Sequence, residues 1–224
     1  MRRVARSGFG LPTAENTALR VGPWLLTTAR CAIWGDVAVV ADLHLGYGRV
    51  RRHRGESVPM PTVVEELEPL ARVVDDYAIK HVVVAGDLFE DGRTRPEDEL
   101  LAWLNQHSLA MTVVPGNHDR GLVGSRLHVV DELMLGPWHV VHGDGPTMPE
   151  GCVVQGHEHP WLRWRMGVEG PCYLMTEYHL VLPAYSADAA GVNVRGRLRW
   201  SSHRAYVIAG NEVLDFGAVG RLIQ

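Results

Sequence analysis

Apolar residues in this chain come in short runs that stop abruptly at polar ones. "VAVVADLHLG" (Val37 to Gly46) sets the form, and "HVVVAGDLFE" (His81 to Glu90) repeats it. "MTVVPGNHD" (Met111 to Asp119), "WHVVHGD" (Trp138 to Asp144) and "CVVQGHEH" (Cys152 to His159) follow the same rule. Each run is short and rich in Val, as expected of a strand buried on both faces. "WLLTT" and "CAIW" nearer the start read as a short strand pair.

Helical periodicity separates the first three runs. "TVVEELEPLARVVDDYA" places Val63, Leu67, Leu70, Val74 and Tyr77 on one face, with Thr62 and Glu65 spaced as a capping box. Pro69 lies inside it and predicts either a kink or a later start. "TRPEDELLAWLNQH" has Thr94, Pro96 and Glu97 as a start signal and Leu100, Leu101 and Leu104 as an apolar face. Strand, helix, strand, helix, strand predicts parallel pairing. After His159 the helical pattern ends, and "CYLMTEYHLVLPAY", "GVNVRGRLRW" and "AYVIAGNEVLDFG" read as antiparallel strands joined by Gly and Asn turns. The expectation is one mixed α/β (α+β) domain over residues 1–224, α/β first and β-rich later. The stretch from Arg195 to Gln224 is the least constrained.

Composition narrows the setting. The net charge of −4 gives no global pull toward nucleic acid, and Lys80 is the only lysine, so positive charge is almost all arginine, a forked donor suited to phosphate. Cys31, Cys152 and Cys172 are scattered, show no CxxC spacing and are odd in number, which fits a reducing compartment. The basic start "MRRVARSGFG" lacks an apolar leader core, and no stretch approaches the roughly 20 apolar residues of a membrane span. A cytoplasmic protein that does not engage membranes is expected.

The polar run-ends carry the chemistry. They bring Asp42 and His44, Asp87, Asn117 with His118 and Asp119, His142, and His157 with His159 to the C-terminal ends of strands, where α/β sheets form their crevices. All are carboxylate, amide or imidazole, and none is thiolate. That donor set suits Mn²⁺, Fe or Zn²⁺ in a catalytic site. Two metals sharing one carboxylate need about seven protein groups when water and substrate fill the rest. Taken singly, Asp-x-His and Gly-Asp also end strands in ordinary turns. Five such words in this order, each closing a strand-like run, are far more specific.

The order DxH, GDxx, GNHD, H, GHxH, spanning Asp42 to His159, resembles the calcineurin-like metallophosphoesterase superfamily. The resemblance implies a four-layer αββα sandwich of two mixed sheets flanked by helices. It also implies that Asp42, His44 and His159 hold one divalent metal, that Asn117, His142 and His157 hold a second, and that Asp87 bridges them. His118 then faces the phosphate, with Asp119 as its orienting partner. A water held between two cations is acidified into a hydroxide nucleophile near neutral pH. A histidine beside the leaving oxygen can donate a proton.

"RCAIW", "VADLHLG", "GESVP", "GDLF", "GNHD", "GHEHP" and "LVLPAY" further resemble a bacterial DNA-repair group whose genes accompany an Lhr-type helicase and a DNA ligase, the PdeM group. That resemblance implies a Mn²⁺-dependent DNA phosphodiesterase or endonuclease. Tyr47 stands where the group usually has Lys, and Glu90 where it usually has His; both read as rim positions. Only 25 residues separate Asn117 from His142 and 15 separate His142 from His157, so no large cap fits there. An open site favours bulky substrates such as single-stranded or structured DNA. The loop "GRVRRHRG" is expected on the rim, with Arg49, Arg51, Arg52 and Arg54 toward phosphates. Arg195, Arg197 and Arg199 share one side of the strand expected in "RGRLRW". Both clusters equally suit solvated surfaces. Two alternatives stand beside DNA hydrolysis: a phosphohydrolase of small cyclic or dinucleoside phosphodiesters, and a non-catalytic scaffold of the same fold.

Overall fold

The computed structural model describes residues 17–92, 95–119, 122, 124–164 and 167–222. Thr94 and the basic start of the chain lie outside the described residues. The first sheet has the spatial order β1 (Ala18–Val21), β2 (Trp24–Thr27), β3 (Ala32–Trp34), β4 (Val37–Val40), β5 (His81–Ala85), β6 (Ala110–Val114) and β7 (His128–Val129). The first four strands meander antiparallel, and β4 to β7 pair in parallel.

The helices lie in the parallel crossovers: α1 (Tyr47–His53), α2 (Val63–Glu66), α3 (Glu68–Tyr77) and α4 (Glu97–Gln106). Thr62 and Glu65 form the expected capping box on α2, worth about 1 kcal/mol. The helical run breaks at Leu67, and Pro69 enters the first turn of α3, where its missing N–H costs nothing. Tyr185 bridges this break. Its hydroxyl donates to the Glu66 carbonyl and accepts the Leu70 amide, both at 3.2 Å.

Alternation within the Val-rich runs explains why they read as continuously apolar. Ala38, Val40, Val82, Val84, Met111 and Val113 face α2, α3 and α4. Val39, Val83, Ala85 and Val114 face the opposite way, against the second sheet. That sheet is built from β8 (Leu133–Leu135), β9 (Trp138–Val141), β10 (Cys152–Gln155), β11 (Pro160–Arg163), β12 (Glu169–Met175), β13 (His179–Val181), β14 (Val192–Asn193), β15 (Arg204–Ala209) and β16 (Glu212–Ala218). Strand β10 is parallel to both β9 and β13, and β12 is antiparallel to β11, β13 and β15. Trp24, Trp34 and Trp138 meet edge to face between the sheets, with centroids 5.3 to 6.5 Å apart.

The sandwich of two mixed sheets matches the expectation, with a thin outer layer on the second sheet. Two 3-10 turns, Leu198–Trp200 and Val219–Arg221, cover an apolar face that includes Leu162, Leu174 and Val207. This corrects the strand expected in "RGRLRW". Only Val192–Asn193 pairs as a strand, parallel to β11, and the chain then turns. Trp200 is buried by that turn, and its apolar neighbours had counted as one face of a strand. The arginines do not line up on a sheet face. Arg195 Nε donates to the Leu222 carbonyl at 2.8 Å and its guanidinium lies over Trp164. Arg199 pairs with Glu158 and stacks on Trp200.

Candidate metal centre

The C-terminal ends of the parallel strands in both sheets meet along one edge. Loop hydrogen bonds lock them together. The Asp42 amide donates to the Gly86 carbonyl, the Gly156 amide to the His142 carbonyl, and the Ser186 amide to the Asp42 carbonyl. The His157 amide reaches the Asp42 carboxylate at 3.0 Å. Eight described non-glycine residues have a positive φ, and five of them are Asp42, His44, Asp87, His157 and His159, at 42° to 67°. Each such conformation costs on the order of 1 kcal/mol, and its concentration at one edge marks a site where backbone strain aims side chains.

The motif glycines supply space. A β-carbon on Gly116 would lie 2.3 Å from Asp87 Oδ1, and one on Gly86 would lie 2.1 Å from the His142 ring. One on Gly156 would lie 2.5 Å from Ala41 Cβ and 2.8 Å from Asp42 Oδ2. Each glycine therefore makes room for another motif's functional group.

Two lobes of donor atoms result, with Asp87 between them. In one, His142 Nε2 lies 3.2 Å from Asn117 Oδ1, 3.2 Å from His157 Nδ1 and 3.3 Å from Asp87 Oδ2. In the other, Asp42, His44 and His159 bring a donor atom each within 4.8 Å of one another, with His159 Nε2 3.3 Å from Asp42 Oδ1. His44 Nε2 stands 3.9 Å from Asp87 Oδ2. Asp42, Asp87 and His142 are almost fully buried.

Hydrogen bonding fixes which atoms point inward. His142 Nδ1 lies 3.1 Å from the Ala85 carbonyl and His159 Nδ1 lies 3.2 Å from the Ala190 carbonyl. A carbonyl only accepts, so these Nδ1 atoms carry protons and each Nε2 is the nitrogen turned inward. His142 Nε2 then faces the oxygens of Asn117 and Asp87, both acceptors. Such a group repels itself unless a proton or a cation sits inside it. Burial disfavours a charged His142, yet the Asp87 hydrogen bond and the Asp87 and Asp42 charges outweigh it and raise its pKa to about 9. Burial likewise opposes a charged His159, and Asp42 raises it nonetheless. Burial pushes the Asp87 carboxyl up, but the His142 contact and the His118 amide hold it below the usual carboxylate value. The pocket demands positive charge, and its oxygen and imidazole donors fit divalent cations.

His118 lies at the exposed margin, with Nδ1 3.1 Å from the Glu90 carbonyl. Asp119 does not sit against that ring. Its buried carboxylate accepts the amides of Gly116, Leu88 and Phe89 at 2.9 to 3.3 Å, pinning the β5 and β6 ends together. The expected arginine loop is helix α1. Arg49 pairs with Glu99, Arg51 pairs with Glu56 and lies over Tyr47, and Arg52 Nε donates to the Val58 carbonyl. Three of the four arginines are thus engaged within the chain. Arg49 and Arg52 still line an open hollow of about 510 Å³ with His53 and Met60. One contributor, Glu158, escaped the sequence reading, and another, Glu90, read as a rim position. Glu90 reaches inward to His44, and Glu158 anchors the segment carrying His157 and His159 through Arg199. Both partnerships join segments distant in sequence, so no local periodicity marks them.

Known proteins resemble this chain in fold and in sequence. The crystal structure of the nuclease MPE of Pseudomonas putida superposes with a TM-score of 0.70, covering 90% of this chain and 100% of that one at 22% identity. The DNA double-strand break repair protein Mre11 of Methanopyrus kandleri is 34% identical over 89 residues, 37% of this chain and 19% of that much longer protein. A family model described as calcineurin-like phosphoesterase matches residues 35–167, a span that includes every strand end bearing a candidate donor. The chain belongs to the calcineurin-like phosphoesterase family.

Proposed function

We propose that this protein is a phosphodiesterase dependent on two divalent metal ions, acting on DNA. The observation that carries the reading is the convergence of Asp87 Oδ2, Asn117 Oδ1, His142 Nε2 and His157 Nδ1, oxygen and imidazole groups of the kind that hold divalent metals, beside the Asp42–His44–His159 lobe. Asp42, His44 and His159 would hold one ion, Asn117, His142 and His157 the other, and Asp87 both. Bound ions neutralise phosphate charge and supply an activated water. The chain's own residues do the rest. The buried carboxylates and the carbonyl-anchored imidazoles hold the donors in place without rearrangement. His118, tethered through Nδ1 to a carbonyl, keeps Nε2 for the substrate; when protonated, it can give that proton to the leaving oxygen.

Mn²⁺ is the preferred ion in this reading, and DNA, single-stranded or structured, the substrate. Support comes from the open edge, the PdeM-group words in the sequence, and similarity to proteins named as a nuclease and as a DNA break-repair factor. A role in DNA repair beside a helicase and a ligase follows from the same words. Residues 1–224 would form one domain. Free Cys31, Cys152 and Cys172 support a cytoplasmic setting, and among the described residues no helix is long and apolar enough to cross a membrane.

The test uses metal-free protein reloaded with Mn²⁺ and offered a phosphodiester chromogen, a phosphomonoester chromogen and labelled hairpin-bearing single-stranded DNA. DNA cleavage by wild type, with kcat lowered at least about 100-fold in His118→Ala, is expected. Turnover of small esters with intact DNA would favour the small-nucleotide reading, and silence with every substrate would favour a scaffold. Arg52→Ala should raise KM for DNA and flatten its salt dependence while sparing the chromogen. Equal losses on both substrates would remove α1 from the DNA path.

A further inference from the structure

Glu90 looked from the sequence like a rim position that departs from the usual histidine. Its backbone places it further in. The segment from Asp87 to Glu90 runs hydrogen-bonded along the segment carrying His44. The His44 amide donates to the Asp87 carbonyl at 3.0 Å, Leu45 to Leu88 at 2.9 Å, and Glu90 to Leu45 at 3.2 Å. That register turns the Glu90 side chain inward, leaving it only 14% exposed beside a His44 side chain 8% exposed. Glu90 Oε2 lies 3.0 Å from His44 Nδ1. The Glu90 carbonyl lies 3.1 Å from His118 Nδ1. The two imidazoles meet edge to face, 4.9 Å between centroids.

His44 differs from its neighbours in the centre. His142 and His159 have their Nδ1 atoms committed to main-chain carbonyls. His44 Nδ1 is buried and has no aligned hydrogen bond. The 3.0 Å contact with Glu90 is close enough but off the N–H direction, a misalignment of the kind that tightens when a site fills. Glu90 is therefore the group placed to settle which nitrogen of His44 carries the proton.

Resting on the metal-centre reading above, we infer that Glu90 is a positioning residue for both functional histidines. Its carboxylate takes the Nδ1 proton of His44 and leaves Nε2 as the lone-pair donor toward the metal. Its carbonyl takes the Nδ1 proton of His118 and leaves Nε2 toward the substrate. One residue thus sets the tautomers of a ligand and of a proton donor, the first through its side chain and the second through its backbone. His44, Glu90 and His118 also lie close enough together to suggest a cation of their own. With both Nδ1 protons turned to Glu90 oxygens, as inferred here, these nitrogens have no lone pair to offer such a cation. A carboxylate on the far nitrogen also makes His44 a more basic ligand, an effect whose loss typically weakens metal binding 10- to 100-fold or about that.

The division between side chain and backbone gives a differential test. Ring ¹⁵N spectra of the metal-free wild type should show His44 and His118 both protonated at Nδ1. In Glu90→Ala the His44 signal should move toward the Nε2-protonated form while His118 stays put. Mn²⁺ titration followed by electron paramagnetic resonance should show affinity in Glu90→Ala falling by roughly 10- to 100-fold. Glu90→Gln, which keeps an acceptor oxygen, should restore the His44 tautomer and most of the affinity. Wild-type His44 protonated at Nε2 would overturn the inference before any variant is made. Unchanged His44 spectra and unchanged Mn²⁺ affinity in Glu90→Ala would overturn it as well. None of these readings depends on DNA cleavage, so an inactive wild type that binds Mn²⁺ would defeat the proposed function and leave this inference standing.

Discussion

Gly116 shows how a single residue decides whether the donor groups can converge. It precedes Asn117, and the place where a β-carbon would go is filled by an Asp87 oxygen 2.3 Å away and the Asp87 amide 2.7 Å away. A methyl group there must displace Asp87, the carboxylate shared by both lobes. Gly116→Ala should therefore lose metal binding far beyond the cost of an ordinary surface change, with Mn²⁺ stoichiometry by calorimetry as the measure. Stoichiometry and affinity equal to wild type would mean the turn has slack the geometry does not show. The neighbouring Asp119 carries the complementary lesson. Its position in the tetrapeptide invited the role of orienting His118, yet its carboxylate is consumed by the three backbone amides of Gly116, Leu88 and Phe89. Burial raises its pKa in spite of those bonds. Sequence adjacency placed Asp119 beside His118; the fold gave the His118 ring to the Glu90 carbonyl instead.

At the scale of elements, the starts of β13 and β15 and the end of β10 are joined by a partly buried chain of side chains. His203 Nε2 lies 3.0 Å from His179 Nδ1, and His179 Nε2 lies 2.8 Å from Gln155 Oε1. An amide oxygen only accepts, so His179 donates through Nε2; burial lowers the pKa of both rings, and a neutral His179 accepts at Nδ1 from His203 Nε2. Burial, and to a lesser degree the neighbouring His179, lowers the His203 pKa to about 4. The folded value lies below the unfolded value of about 6.5. The chain's contribution is therefore fully present above about pH 6.5 and is lost as pH falls toward 4, by at most about 3 kcal/mol. Urea midpoints measured from pH 7 to 4.5 should drop less in His203→Gln than in wild type, since the amide can still donate to His179 without titrating. Parallel pH profiles for the two proteins would sink this account.

The whole molecule is two sheets that share an apolar interior and meet at a polar edge. Asp42, Asp87 and Asn117 come from the first sheet; His142, His157 and His159 come from the second. Cations bound there would cross-link the sheets, and unfolding would release them. Saturating Mn²⁺ should raise Tm by on the order of 10 °C in a chain of this size, with a dependence on metal concentration that a chelator reverses. A Tm indifferent to millimolar Mn²⁺ would contradict a centre that spans both sheets.

What the chain alone determined is local or periodic. Val-rich runs, the Thr62–Glu65 cap, the break near Pro69 and the order of motif words all follow from spacing within a dozen residues, and the structure places each where that spacing put it. Tertiary structure decided the rest, because those outcomes depend on partners far apart in sequence. Arginines that read as an open loop became α1 once Glu99, Glu56 and the Val58 carbonyl were at hand. The strand pattern of "RGRLRW" yielded to a turn that buries Trp200 over the second sheet. Glu90 moved from rim to centre because its backbone is bonded to Leu45 rather than because of any neighbour in its own segment. Donor types are a property of residues and survive in the sequence. Which nitrogen faces inward is a property of packing, and only the assembled edge of the two sheets could set it.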